Sequence, residues 1–160
     1  MTALVLASSS DYRRRLLADA GIEAICIAPE FDERGVDHRF AEWGVDRYVV
    51  EVATGKARSV FDRVAPDAVV VAADQAAVLD GRLLTKPGTP ERAVGQLVAM
   101  AGRTHELVNG VVALGPGDRM ASAVDRHIVA MRRFDRREAE AYVARFRPLD
   151  CVGSYRIEDD

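Results

Sequence analysis

Residues 68–84 read AVVVAADQAAVLDGRLL, and this stretch decides the fold. Its first six residues, 68–73, are all valine or alanine, which is typical of a short buried strand. Asp80-Gly81 lies between two apolar runs and predicts the two-residue turn of a β-hairpin. We expect Asp74 to lie where the buried strand ends, at the sheet edge where α/β proteins bind their ligands.

The N-terminal residues predict a strand, a turn and a helix. Residues 3–7 form a short apolar run, and the serines at 8–10 that follow are residues that cap helix N-termini. Residues 13–20 predict a helix, which Gly21 ends. The side chains expected to face inward from this helix are Leu16, Leu17 and Ala20.

The remaining chain alternates between strand and helix patterns. These elements are a strand at 22–28, an irregular polar segment at 30–46, helices at 47–64 and 90–100, paired strands at 106–114 and 121–131, and a helix at 135–146. The alternation predicts an α/β fold with a mixed twisted sheet flanked by helices. A length of 160 residues fits one domain over 1–160.

Composition narrows the class of protein. The sequence has 22 basic and 25 acidic residues and a net charge of −3, which argues against a dedicated nucleic-acid binder. The two cysteines, Cys26 and Cys151, have no metal-site spacing and do not suggest a disulfide scaffold. Neither a leader segment nor an apolar run of about 20 residues is evident, so we expect a cytoplasmic protein without a membrane partner.

Serines followed by arginines at a helix start suggest an anion site. Ser8, Ser10, Arg13 and Arg14 lie where a strand gives way to a helix, and free backbone N–H groups there attract phosphate. Arginine adds bidentate contacts to phosphate oxygens. The alternative is an ordinary serine cap on a helix with a solvated basic face.

Asp74 and Lys86 form the second candidate group. A carboxylate at the end of a buried strand is costly unless it binds metal, pairs with a cation or accepts hydrogen bonds. The hairpin reverses the chain, so Lys86 is expected to return near Asp74; a purely structural ion pair is the alternative. Glu33 suits a hard divalent cation, but by itself Glu33, like Lys56, is best explained as surface charge. His105 is interpreted as structural rather than as a base.

Taken together, these motifs resemble the Maf family of nucleoside triphosphate pyrophosphatases. The resemblance runs in order along the chain from Leu4 to about Glu158. The matching stretches are Leu6–Ser10 with Arg13-Arg14, Pro29–Glu33, Lys56-Ala57, Ala73–Gln75 with Lys86-Pro87, and Ala101–His105. A Maf/ITPase-like fold is what the resemblance implies, with a further C-terminal strand and helix that this sequence lacks.

The resemblance also implies an activity, which is hydrolysis between the α- and β-phosphates of a nucleoside triphosphate. Asp74 would be the catalytic carboxylate that accepts a proton from water, with Lys86 as its catalytic partner. Glu33 and Asp74 would hold a divalent metal cation, Mg²⁺, Mn²⁺ or Co²⁺. The residues that would contact the phosphates are Ser8, Ser10, Arg13, Arg14, Lys56 and Lys86. Family members are commonly homodimers.

At three positions the residues of this sequence resemble those of the branch of the family that acts on 7-methyl-GTP. They are Tyr12 before the paired arginines, Gln75 after Asp74, and Glu158 near the C-terminus. Tyr12 would stack on the cationic methylated base, an interaction of about 0.5–2 kcal/mol. Two alternatives stay open: an enzyme that prefers dTTP or UTP, and a non-catalytic nucleotide-binding relative in cell-division control. Asp11 and Thr85, which depart from the family's pattern, motivate the second alternative.

Overall fold

The computed structural model describes residues 3–159 as two compact units. The first unit comprises residues up to Asp74 together with Asn109–Asp125, and the second comprises Gln75–Val108 together with the residues from Arg126 onward. The chain passes between the units within three of its strands. None of the helices described between residues 3 and 159 has the length and apolar character that crossing a bilayer requires.

Six strands form a mixed sheet within the described residues, as the sequence predicts. The strands are β1 Leu4–Ala7, β2 Ile25–Ile27, β3 Val69–Leu79, β4 Arg82–Leu84, β5 Thr104–Gly115 and β6 Arg119–Ala130. Their order is β2-β1-β3-β5-β6, with β4 also paired to β3. Strand β1 runs parallel to β2 and β3, whereas β4 runs antiparallel to β3 through the predicted turn at Asp80-Gly81.

Four α-helices accompany the sheet in residues 3–159. They are α1 Asp11–Asp19, α2 Phe40–Phe61, α3 Pro90–Met100 and α4 Arg136–Phe146, with short 3-10 helices at Arg34–Arg39 and Val152–Ser154. Helix α3 begins at Pro90, where the missing N–H leaves no hydrogen bond unmade. Helix α4 begins with a capping box in which Asp135 and Glu138 satisfy each other's backbone N–H groups. These starts agree with the sequence predictions to within a residue.

The core of the first unit joins α2 to the central strands. Small and β-branched side chains fill it, among them Val5, Ala53, Val60, Val70 and Val112. Alanines on both surfaces bring the helix close to the sheet. At Gly110 a Cβ atom would lie 2.7 Å from the backbone of Val49, so only glycine permits this approach of β5 to α2.

The core of the second unit lies between α3 and α4. Leu97 and Met100 of α3 meet Ala139 and Val143 of α4, and Leu79 from the end of β3 joins them. Each unit therefore buries its own apolar cluster.

The predicted end of β3 is wrong. Strand β3 continues past Asp74 to Leu79 and carries the aspartate in its interior. Side chains of a strand alternate between its faces, and Asp74 shares the buried face with Val70 and Ala72. A polar residue does not end a strand when a partner satisfies its side chain, as Lys56 does here.

Two other sequence predictions are wrong. The segment 30–46 is not irregular throughout, because the 3-10 helix occupies Arg34–Arg39 and α2 begins at Phe40. Gly44, with φ of 70°, kinks α2. The helix predicted from residue 47 onward therefore covers only the part of α2 that follows this kink. Helix α1 buries none of its residues, and Leu16 is 57% exposed. Five of its nine residues are charged, and the Ser10 cap rather than an apolar face holds its first turn.

Candidate active site

A buried lysine lies between two carboxylates in the first unit. Lys56 of α2 is only 4% exposed, and Asp74 of β3 only 7%. The Lys56 Nζ atom donates to Asp74 Oδ1 at 2.7 Å and lies 2.9 Å from Glu33 Oε1. The explanation of Lys56 as a surface charge is therefore wrong, since the structure places it in the interior beside two acids.

Glu33 reaches Lys56 because the preceding residues run along α2. The Glu30 amide donates to Ser59 Oγ at 3.1 Å, and Ser59 Oγ donates to the Lys56 carbonyl at 2.8 Å. Between these points the ring of Phe31 lies directly against Gly55. Two hydrogen bonds and one aromatic contact therefore fix the strip of chain that ends at Glu33.

The start of α1 is a serine-capped helix end. Ser8 is buried, and its Oγ accepts a hydrogen bond from the Ser10 amide at 3.1 Å. Ser10 is the N-cap, and its Oγ accepts from the Arg13 amide at 3.4 Å. The positive charge of Arg13 lowers the pKa of Asp74. These contacts are those of an ordinary serine cap, and binding of an anion at this turn stays a prediction.

The environment of Asp74 favours a proton acceptor. Burial raises the pKa of Asp74 above its ordinary value, whereas the charge and hydrogen bond of Lys56 lower it. The charge of Glu33 raises this pKa further. A carboxylate accepts protons most effectively when its pKa lies closer to the working pH than that of a free carboxylate. Asp74 is therefore suited to activate a water molecule.

Sequence reasoning missed a functional neighbour, Tyr48 of α2. Its hydroxyl donates to Asp37 Oδ1 at 2.7 Å and so ties α2 to the 3-10 helix that follows Glu33. Burial raises the pKa of Tyr48, and the charges of Asp74 and Glu33 add to that rise. The sequence pattern of this helix carries no signal for the hydrogen-bond partner of the tyrosine.

The two carboxylates fit a divalent cation. Glu33 and Asp74 together carry one more negative charge than Lys56 offsets. In residues 3–159 no cluster of three or more His, Cys, Asp or Glu side chains has metal-binding geometry, so the described chain offers a pair of acids rather than a closed cage. Mg²⁺ is commonly held in this way, by one or two carboxylates with water and substrate phosphates completing its shell.

The other predicted site residues lie on α1 or in the second unit. Tyr12 is 62% exposed on α1, and Arg14 is exposed beside Asp11, with their charged groups 3.3 Å apart. Lys86 and Glu158 belong to the second unit, and their approach to Asp74 stays a prediction. Gln75 follows Asp74 directly in β3, and its contact with a nucleotide stays a prediction. The residues that the structure brings into contact are Glu33, Lys56 and Asp74.

His105 has the structural surroundings predicted for it. It is buried in the second unit, and its Nε2 lies 2.8 Å from the Tyr155 hydroxyl. The two rings also meet edge to face, with centroids 5.5 Å apart. Burial lowers the pKa of His105, which favours the neutral imidazole. This histidine joins β5 to the C-terminal segment of its unit.

The first unit thus holds a strand-borne acid paired with a buried lysine, and a serine-capped helix start. The family described as Maf-like protein matches residues 3–160. A 7-methyl-GTP pyrophosphatase of Pseudomonas aeruginosa is 37% identical over 159 residues, 99% of this chain and 80% of that protein. The 7-methyl-GTP pyrophosphatase of Xanthomonas axonopodis pv. citri is 40% identical over 158 residues, with the same shares covered. The chain belongs to the Maf family.

A solved structure shows the same fold. The Ham1 protein of Staphylococcus aureus superposes with a TM-score of 0.52 over 81% of this chain and 71% of that chain. The two sequences are only 14% identical, so this likeness concerns the fold alone. The Maf/ITPase-like fold implied by the motifs is confirmed.

The Phe31–Gly55 contact predicts the outcome of a small substitution. A Cβ atom at Gly55 would lie 2.3 Å from the Phe31 ring, so Gly55→Ala must displace Phe31 and, with it, Glu33. We expect loss of the Glu33–Lys56 contact and a lower free energy of unfolding, although alanine is intrinsically the better helix former by about 1 kcal/mol. Chemical denaturation measures the change.

Gly95 provides the matched control, because a Cβ atom there would meet no atom within 4 Å. Gly95 is also an exposed helical residue, in α3. Gly95→Ala is expected to raise the free energy of unfolding by up to about 1 kcal/mol. If both variants gained stability equally, the Phe31 contact would not be tight enough to place Glu33.

The raised pKa of Asp74 predicts a pH dependence of stability. The unfolded chain releases this proton near its ordinary pKa of 3.8, whereas the native state keeps it to higher pH. As pH rises through this interval, the unfolded state binds fewer protons than the native state, so the free energy of unfolding falls. Relative to Asp74→Asn, the wild type should therefore lose stability from about pH 4 upward. Urea titrations of both proteins across this range measure the difference, and a constant difference contradicts the shift.

Proposed function

We propose that this chain is a pyrophosphatase that hydrolyses 7-methyl-GTP to 7-methyl-GMP and pyrophosphate. The buried Asp74–Lys56–Glu33 cluster carries the proposal, because it joins a proton acceptor to a cation beside a helix start that suits phosphate. Membership of the Maf family and the similarity to 7-methyl-GTP pyrophosphatases support the reaction and the substrate.

The proposed reaction uses the described residues as follows. A water oxygen forms a bond to the α-phosphorus atom, and the bond between this phosphorus and the α–β bridging oxygen breaks. Asp74 takes the proton of the attacking water, and pyrophosphate leaves with the electron pair of the broken bond. Arg13 and the free N–H groups of α1 offset negative charge on the phosphate oxygens. Lys56 keeps Asp74 ionised and fixes its orientation.

A divalent cation, Mg²⁺, Mn²⁺ or Co²⁺, completes the proposed site. Glu33 and Asp74 would hold it, and when bound it supplies positive charge that stabilises the developing charge on the phosphate oxygens. Lys86 is proposed as a second catalytic cation, and Gln75 and Glu158 as contacts to the nucleotide. Formation of a homodimer and a cytoplasmic location stay predictions.

The assigned base predicts the effect of one isosteric change. Asp74→Asn keeps the size of the side chain but removes the proton acceptor, so kcat should fall by about 10²- to 10⁴-fold. Pyrophosphate release from 7-methyl-GTP, GTP, dTTP, UTP and ATP is measured with each of the three cations. Asp118→Asn is the control, since it makes the same change at an exposed turn whose positive φ asparagine tolerates.

Each outcome of this panel points to one function. Preference for 7-methyl-GTP with a large loss in Asp74→Asn supports the proposal. Preference for dTTP or UTP assigns the other branch of the family. Tight nucleotide binding without turnover in the wild type assigns a non-catalytic role. Turnover that Asp74→Asn leaves unchanged removes the acid from the mechanism.

Selectivity for the methylated base predicts a role for Tyr12. Stacking of its exposed ring on a cationic purine is worth about 0.5–2 kcal/mol, so Tyr12→Ala should weaken 7-methyl-GTP binding by about 2- to 30-fold. Binding of GTP, whose base is uncharged, should weaken less. Tyr12→Phe should retain the preference for 7-methyl-GTP because it retains the ring. Steady-state KM values for both nucleotides test this, and equal losses for both would show that Tyr12 does not recognise the methyl group.

A further inference from the structure

The loop that carries Lys86 is tied to the rest of its unit on both sides of that residue. Before Lys86, the carbonyl of Thr85 accepts a hydrogen bond from Gln96 Nε2 of α3 at 2.9 Å. After it, the Gly88 amide donates to the Leu149 carbonyl at 3.0 Å. Pro87 between these points is fully buried. The backbone on either side of Lys86 is therefore held at Thr85, Pro87 and Gly88.

Gln96 is itself oriented by a second residue, Ser154. The Ser154 hydroxyl donates to Gln96 Oε1, so one amide group accepts from Ser154 and donates to Thr85. A primary amide used at both ends has only one orientation that satisfies both partners. Ser154 thus determines which way Gln96 presents its N–H group.

Ser154 occupies an unusual backbone position. It is completely buried and has φ of 63°, in the left-handed region that a residue other than glycine rarely adopts. Glycine would relieve this strain, yet a serine stands here with its hydroxyl directed at Gln96. Non-glycine residues held in this region concentrate at functional sites, where the surrounding structure maintains them.

We propose that Gln96 and Ser154 are positioning residues. They fix the position and orientation of the Lys86 backbone through the hydrogen bond to the Thr85 carbonyl. Neither residue needs to touch the substrate, because the effect is transmitted along one stretch of backbone. The proposal rests on the proposed function in one respect, which is the catalytic role of Lys86. The hydrogen bonds from Ser154 to Gln96 and from Gln96 to the Thr85 carbonyl, which we call the tie, do not depend on that role.

Two substitutions break the tie without disturbing the core. Gln96→Glu keeps the shape of the side chain but places an oxygen where Thr85 needs a donor. Ser154→Gly removes the hydroxyl and suits the left-handed backbone at this position. We expect each to lower kcat by about tenfold to a hundredfold, as misplacement of a catalytic group by an ångström does, with a smaller change in KM.

A double-mutant comparison separates positioning from general destabilisation. If Gln96 acts through Lys86, Gln96→Glu lowers kcat in the wild type but adds little in a Lys86→Met background. Ser154→Gly should behave in the same way. Equal fold-losses in both backgrounds would overturn the proposal, because they would show that the tie supports the fold rather than this lysine.

A measurement without turnover separates the tie from the proposed function. Lys56 and Lys86 are the two lysines of the sequence, so protein labelled with ¹³C-lysine gives two side-chain signals, which Lys86→Arg assigns. Titration with pyrophosphate and Mg²⁺ should shift the Lys86 signal in the wild type. In Gln96→Glu and Ser154→Gly that shift should shrink, while the Lys56 signal responds as before.

The two readouts distinguish the ways of failing. A wild type that hydrolyses none of the triphosphates would refute the pyrophosphatase proposal, and the Lys86 signal would still test the tie. Identical Lys86 shifts in the wild type and both variants would refute the positioning role, whatever the activity. Smaller shifts in the variants, with the Lys86-dependent loss of kcat, support it.

Discussion

The buried ammonium of Lys56 is the constraint on which the first unit depends. It lies between Asp74 and Glu33, and each of these acids comes from a different part of the chain. Removing one member of a buried ion pair leaves an uncompensated charge, which typically costs about 3–5 kcal/mol. The strand, the helix and the segment before the 3-10 helix must therefore keep a common register, and the Phe31–Gly55 contact maintains it.

The same arrangement reconciles stability with chemistry. Asp74 shares its strand face with Val70 and Ala72, so the hydrophobic core continues into the site without a break. Burial raises the pKa of Asp74, and Lys56 opposes that rise. Burial and the adjacent lysine thus act on the pKa of this carboxylate in opposite directions. In the second unit an uncharged side chain has the structural role, since a hydrogen bond from Gln96 holds the loop that carries Lys86.

Local patterns predicted the elements of the fold well, and long-range partners poorly. The Asp80-Gly81 turn and the start of α3 at Pro90 are determined by a few adjacent residues and were correctly placed, and the start of α4 was predicted to within one residue. Family motifs named Glu33, Lys56 and Asp74, but no spacing in the sequence indicates that one lysine contacts both acids. The interior position of Asp74 in β3 was missed because a strand tolerates a polar residue whose partner comes from a distant helix. The exposure of Leu16 was missed because apolar spacing alone does not reveal what covers a helix.

Helix α1 contributes little to the core of its unit. It buries none of its residues, and its first turn is held by the serine cap rather than by packing. Substitutions on its outer surface, which carries Tyr12, therefore cost the fold little. Lys56 and Asp74 have no such freedom, because loss of either leaves a buried charge without its partner. Sequence change can thus accumulate on one helix of the unit while the interior ion pair resists it.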